Sequence, residues 1–111
     1  MTTKITDYGG VTVLNVSEDL SGDAVEVFGQ QAAECLREHK HNIVIDCSAV
    51  GAMDSAALES LLDLQDKCEE ELGSVKLCGL SATCGKVLEI TRLARRFEAF
   101  EDLDSAVRSF G

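Results

Sequence analysis

One short run constrains the fold more than any other: Asn42-Ile-Val-Ile-Asp-Cys47. Its apolar residues follow one another without alternation, so a strand built from it must be covered on both faces. The segments on either side have helical spacing. Apolar or small residues recur at Val25, Phe28, Ala32, Cys35 and Leu36 before it, and at Ala57, Leu58, Leu61, Leu62, Leu64, Cys68 and Leu72 after it. A buried strand between two amphipathic helices calls for crossover connections and a largely parallel sheet.

The rest of the chain extends that pattern. Lys4 to Tyr8 and Val11 to Val16 read as two strands, and Gly9-Gly10 supplies a tight turn between them. The first helix is expected over about 22–38, with Ser21 or Asp23 as its N-cap. The second is expected from Asp54-Ser55 to about Leu72, with Gly73 as its stop. Val75 to Cys78 is a further strand, and Ser81 caps a third helix carrying Cys84, Val87, Leu88 and Thr91. A short extended piece near 97–100 precedes a last helix, capped by Asp102, that packs Leu103, Ala106, Val107 and Phe110. The expected class is α/β: a small mixed sheet of four to five strands, hairpin first and then parallel. About four helices should pack mainly on one face.

The 111 residues contain no Pro, no repeat and no low-complexity run, so residues 1–111 are expected to form a single domain. Hydrophobic residues make up 45% of the chain, and 20 acidic against 10 basic residues leave a net charge of −10. That apolar content implies a folded body, and that charge disfavours nucleic acid, whose phosphates it would repel. No apolar run approaches the roughly 20 residues of a membrane helix, and the first twenty residues lack the features of a secretory signal. No membrane insertion and a cytoplasmic location are expected. Cys35, Cys47, Cys68, Cys78 and Cys84 have no metal-ligand or disulfide spacing and are expected to be free, buried thiols. His39 and His41 flank Lys40, which opposes metal binding. No phosphate-binding glycine loop or catalytic signature occurs, so no cofactor, metal or enzymatic activity is expected.

The segment richest in functional information runs from Ile43 to Leu62: a buried strand ending in Asp46, a loop, then Asp54-Ser55-Ala56-Ala57-Leu58-Glu59 at a helix start. In this order the chain resembles the STAS domain family, the fold of bacterial anti-sigma factor antagonists, whose central strand ends in Asp and is followed by a D-S-[ST]-G-L-G helix start. The opening hairpin, the Leu20-Ser21 loop, Val75 to Ser81 and Val87 to Leu93 fall in the family's order as well. The resemblance implies that Ser55 is the residue phosphorylated by an anti-sigma factor serine kinase, and that a serine phosphatase restores it. It implies a partner-binding surface at Leu20, Ser21, Asp54, Ser55, Ala56, Ala57, Glu59 and Asp63. Ala56, Ala57 and Glu59 stand where the family has Ser or Thr, Gly and Gly. Glu18 and Ser21 stand where it often has the Gly and Asp of a Gly-x-Leu-Asp turn, and Arg92 where it often has a helix-ending Gly. The family also includes modules that are not phosphorylated, such as a subunit of a lipid-transport ATPase or a scaffold domain.

From the residues alone, Asp54-Ser55 also reads as a helix cap. A phosphate at the same place would meet backbone N–H groups and the positive end of the helix dipole. Glu59, Asp63, Asp66 and Glu70 share one face of the second helix, which is either a solvated stripe or a docking face for a basic partner. Arg92, Arg95 and Arg96 cluster near the end of the third helix, where cations complement its dipole.

Overall fold

The structure, a computed structural model, describes residues 3–111, so the first two residues of the expected domain lie outside it. In chain order the elements are β1 (Thr3–Tyr8), β2 (Val11–Val16), α1 (Asp23–Arg37), β3 (Asn42–Asp46), α2 (Ser55–Glu70), β4 (Ser74–Cys78) and α3 (Ala82–Ile90). A 3-10 turn (Leu93–Arg96), β5 (Glu98–Phe100) and α4 (Leu103–Arg108) complete the chain. The sheet has five strands in the order β1-β2-β3-β4-β5. The β1–β2 pair is antiparallel and every later pair is parallel.

This order explains the distribution of the helices. Each crossover after β2 steps one strand further in the same direction, and right-handed crossovers in one direction leave their helices on one face. α1 and α2 accordingly bury Val25, Phe28, Ala32, Leu61 and Leu64 against Leu14, Ile43, Ile45, Val75 and Leu77. α4 follows the last strand and has no such obligation. It covers the opposite face, where Ala106, Leu103, Val107 and Phe110 meet Val11, Val13, Val44 and Cys78. Ile43, Val44 and Ile45 are fully buried between the two layers, as their unbroken apolar run requires.

Helix ends follow the sequence with two corrections. Ser81 and Asp102 cap α3 and α4 by accepting the N–H of Cys84 and Ser105. α1, however, is capped by neither Ser21 nor Asp23. Its N-cap is Gly22, at φ 54° and ψ −128° with no side-chain cap, a conformation open to glycine because it has no Cβ. At the end of α2 the left-handed residue is Leu72 (φ 64°), not Gly73. Gly73 serves close approach instead, since a Cβ there would collide with the His41 carbonyl.

Gln65 closes a gap that the short β5 leaves beside β4. Its Oε1 accepts the Val75 N–H at 2.7 Å, and its Nε2 donates to the carbonyls of Val75 at 3.0 Å and Arg96 at 2.6 Å. A buried amide thus replaces the missing strand neighbour.

Candidate functional site

The C-terminal ends of β2 and β3 each run into a loop, and the two loops are bonded to one another. Leu20 and Met53 form a one-residue parallel bridge. The Leu20 N–H donates to the Ala52 carbonyl at 3.0 Å, and the Asp54 N–H donates to the Leu20 carbonyl at 3.1 Å. Leu20 can anchor this crossing because its side chain is fully buried in the main core. Two carboxylates add side-chain bonds. Asp19 Oδ1 accepts the N–H groups of Gly51 at 2.7 Å and Ala52 at 3.2 Å. Asp54 Oδ2 accepts the Gly22 N–H at 3.2 Å.

Asp54 also separates the two readings of the Asp54-Ser55 pair. Its Oδ1 accepts the Ala57 N–H at 2.8 Å, so Asp54 is the N-cap of α2. Ser55 is the first helical residue and is exposed. Capping therefore does not occupy its hydroxyl. By helix geometry the N–H groups of Ser55 and Ala56 have no partner within the helix, and they face the same end as the dipole's positive pole.

The residues expected to meet a partner divide by burial. Ser21, Ser55, Ala56, Glu59 and Asp63 are exposed, and Asp54 is half-buried. Leu20 and Ala57 are buried and form the floor beneath the site. Ala57, which stands where the family has Gly, is thereby absorbed into the core.

The acidic face of α2 is partly neutralised. Asp63 pairs with Lys67 at 2.9 Å, while Arg96 reaches back from the 3-10 turn to Asp66 at 2.6 Å and Glu69 at 3.2 Å. Asp66 holds the Arg96 guanidinium and raises its pKa further. Arg96 thus belongs to a tertiary ion-pair cluster. Arg92 adopts φ 65°, the left-handed conformation for which glycine is suited, at the N-cap of the turn. Glu59 is exposed one turn from Ser55 on α2, and Glu18, Asp19 and Asp23 are exposed in the loop and helix start that bond to the segment before Ser55.

At the end of β3, Asp46 is held in place rather than left available. Its Oδ2 accepts from Asn15 at 2.8 Å and its Oδ1 from the Ser48 hydroxyl at 2.8 Å and N–H at 3.1 Å. All five cysteines are free and buried. Burial, followed by the neighbouring Asp46, pushes the Cys78 thiol up to about 12. Among the described residues no cluster of His, Cys, Asp or Glu could hold a metal, and no helix is long and apolar enough to cross a membrane.

Two parts of this site have no local sign in the sequence. Asp19 and Gly51 are 32 residues apart, and only the β2–β3 pairing brings them together. Gly22, which caps α1 and donates to Asp54, lies between the two residues expected as caps.

Comparison with known proteins places this geometry in a family. The STAS domain model matches residues 2–106. No curated protein matches the sequence. Among solved structures, an anti-sigma factor antagonist from Mycobacterium paratuberculosis is 25% identical, with a TM-score of 0.87 over 97% of this chain and 92% of that one. An anti-sigma-factor antagonist (STAS) domain protein from Planctomyces limnophilus is 19% identical, with a TM-score of 0.86 over 96% of each chain. SpoIIAA, the Bacillus cell fate determinant, is 17% identical in its phosphorylated form, with a TM-score of 0.78 over 98% of this chain and 99% of that one. With a family model spanning nearly its full length and a sheet and helix order to match, the chain belongs to the STAS domain family.

Proposed function

We propose that this protein is a partner-switching regulator of the anti-sigma factor antagonist kind. Unmodified, it binds an anti-sigma factor serine kinase and so frees a sigma factor. Phosphorylation at Ser55 releases the kinase, and a serine phosphatase resets the cycle. The protein acts by binding and performs no catalysis itself.

The observation that carries this reading is the position of Ser55: exposed, first in α2, outside the capping bond, and on a loop fixed by five cross-loop hydrogen bonds. A phosphate there would add about −1.5 to −2 charges without disturbing any bond that holds the fold. SpoIIAA has been solved in unphosphorylated and phosphorylated forms, both similar to this chain, with TM-scores of 0.85 and 0.78. That supports a switch acting on docking rather than folding. Glu59 lies one turn from Ser55 on α2, and Glu18 and Asp23 are exposed beside the segment bonded to the loop before Ser55, which favours a basic partner face. A phosphate added among them introduces like-charge repulsion and desolvation cost against that partner.

Ala57 and Glu59, in place of two family glycines, favour a second reading: an interaction module that is not phosphorylated, such as a subunit of a lipid-transport ATPase or a scaffold. Incubation with anti-sigma factor serine kinases and ATP, followed by intact mass and peptide mapping, separates the two. The regulator gains one phosphate on Ser55 and Ser55→Ala gains none. No phosphate on the wild-type protein with any kinase of this class would leave the second reading.

A further inference from the structure

We propose that Asp19 is a positioning residue for Ser55, a role that rests on the regulatory reading above for its purpose but not for its geometry. The Ser55 hydroxyl is only as well placed as the loop that delivers it, and residues 48–54 form no strand or helix of their own. Irregular backbone holds one conformation only where its polar groups have partners. For residues 51–54, the part of the loop that leads into Ser55, the cross-loop partners lie in the segment 19–22.

Asp19 supplies the bonds at the far end of that contact. One oxygen, Oδ1, receives two consecutive N–H groups, those of Gly51 and Ala52. A carboxylate accepting backbone N–H groups forms shorter and stronger bonds than a neutral acceptor. The bonds that follow run in sequence toward Ser55: Leu20 to Ala52, Asp54 to Leu20, and Gly22 to the Asp54 carboxylate. Asp54 in turn caps α2. Asp19 therefore sets the start of a chain of contacts that ends at the residue before Ser55.

The partner position is matched to this arrangement. A Cβ at residue 51 would lie 3.1 Å from Asp19 Oδ1, so glycine there lets the carboxylate reach the backbone. Gly51 has no left-handed φ, so Gly51→Ala leaves the backbone conformation allowed and presses only on the Asp19 contact. This allows the contact to be tested from both sides.

The test is amide hydrogen exchange on the full chain, paired with phosphorylation kinetics. Asp19→Ala is expected to accelerate exchange at Gly51 and Ala52 by roughly tenfold, since each of these amides loses its own charge-assisted bond. The acceleration should extend to Asp54 and Ala57 while leaving Val44 and Leu61 at their wild-type rates. Gly51→Ala should give the same pattern more weakly. Asp19→Asn, which keeps an acceptor oxygen, should restore much of the protection. With an anti-sigma factor serine kinase and ATP, Asp19→Ala should lower kcat/KM for Ser55 by about tenfold, and Asp19→Asn should recover it.

Unchanged exchange at Gly51 and Ala52, or acceleration that stops before Asp54, overturns the proposal. So does wild-type phosphorylation of a chain with a loosened loop. If the wild-type protein accepts no phosphate, the regulatory reading fails while exchange alone still decides whether Asp19 positions Ser55.

Discussion

The carboxylate of Asp54 accepts the N–H of Ala57 at 2.8 Å, which makes Asp54 the cap of α2 and leaves Ser55 outside the capping bond. Two adjacent residues of types equally suited to capping thereby have different duties. Asp54→Ala should destabilise the protein by about 1 kcal/mol, the usual worth of a side-chain cap, while Ser55→Ala should change stability by less than about 0.5 kcal/mol. Urea denaturation of both variants measures the difference. Equal losses would mean that Ser55 shares the capping role.

Gln65 is buried and serves three backbone groups that no strand reaches. Gln65→Leu keeps the volume and removes every one of those bonds. The variant should lose about 2–4 kcal/mol, because the Val75 amide and carbonyl would remain buried without the Gln65 side chain, and the Arg96 carbonyl would lose its bond as well. The urea midpoint reads this loss, and exchange at the Val75 amide should rise more than at β3.

Leu72 is 96% exposed and sits at φ 64° just past the end of α2. Its side chain gains almost nothing from burial there, and its Cβ disfavours that backbone conformation. Leu72→Gly should therefore stabilise the protein by up to about 1 kcal/mol, seen as a higher thermal midpoint. A lower midpoint would contradict this account of the helix end.

Asp7 is held below its ordinary value, first by the hydrogen bond from Lys40 at 2.9 Å and then by Thr12, and Lys40 is raised in turn by Asp7 and Glu38. Asp102 is lowered by the backbone bond it accepts from Ser105. A carboxylate with a depressed folded pKa stabilises the fold above its unfolded value, near 3.8, and that stabilisation is lost as pH falls through the folded one. A lysine with a raised pKa stabilises below its unfolded value, near 10.5, and loses this as pH rises through the folded one. Urea midpoints should therefore drop below about pH 4, and again above about pH 10.5. Lys40→Met should shrink the alkaline drop and reduce the acid one, leaving the share that belongs to Asp102 and to the Thr12 bond on Asp7.

Much of the fold was legible in the sequence because it depends on local signals. The unbroken apolar run at 43–45 could only be a strand covered on both faces, and Ser81 and Asp102 are caps by residue type and spacing. Helix placement on one face followed from chain order and crossover handedness. The face chosen by α4 did not, since an amphipathic helix after the last strand fits either side. Ser55 stands out in the sequence through motif resemblance, whereas Asp19 does not, because its partners lie 32 and 33 residues away. The pairing of the acidic stripe was illegible for the same reason. The stripe's spacing on α2 is real, but Arg96 arrives from a distant turn to neutralise Asp66 and, beside it, Glu69, and Lys67 pairs with Asp63, so the middle of the stripe is largely compensated.

The most direct test of the central claim is phosphopeptide mapping of the protein isolated from its native cells under conditions that preserve phosphate. The account predicts a population carrying a single phosphate on Ser55, and loss of kinase binding in that population. A chain never phosphorylated at Ser55, or one phosphorylated there that binds the kinase unchanged, would contradict it.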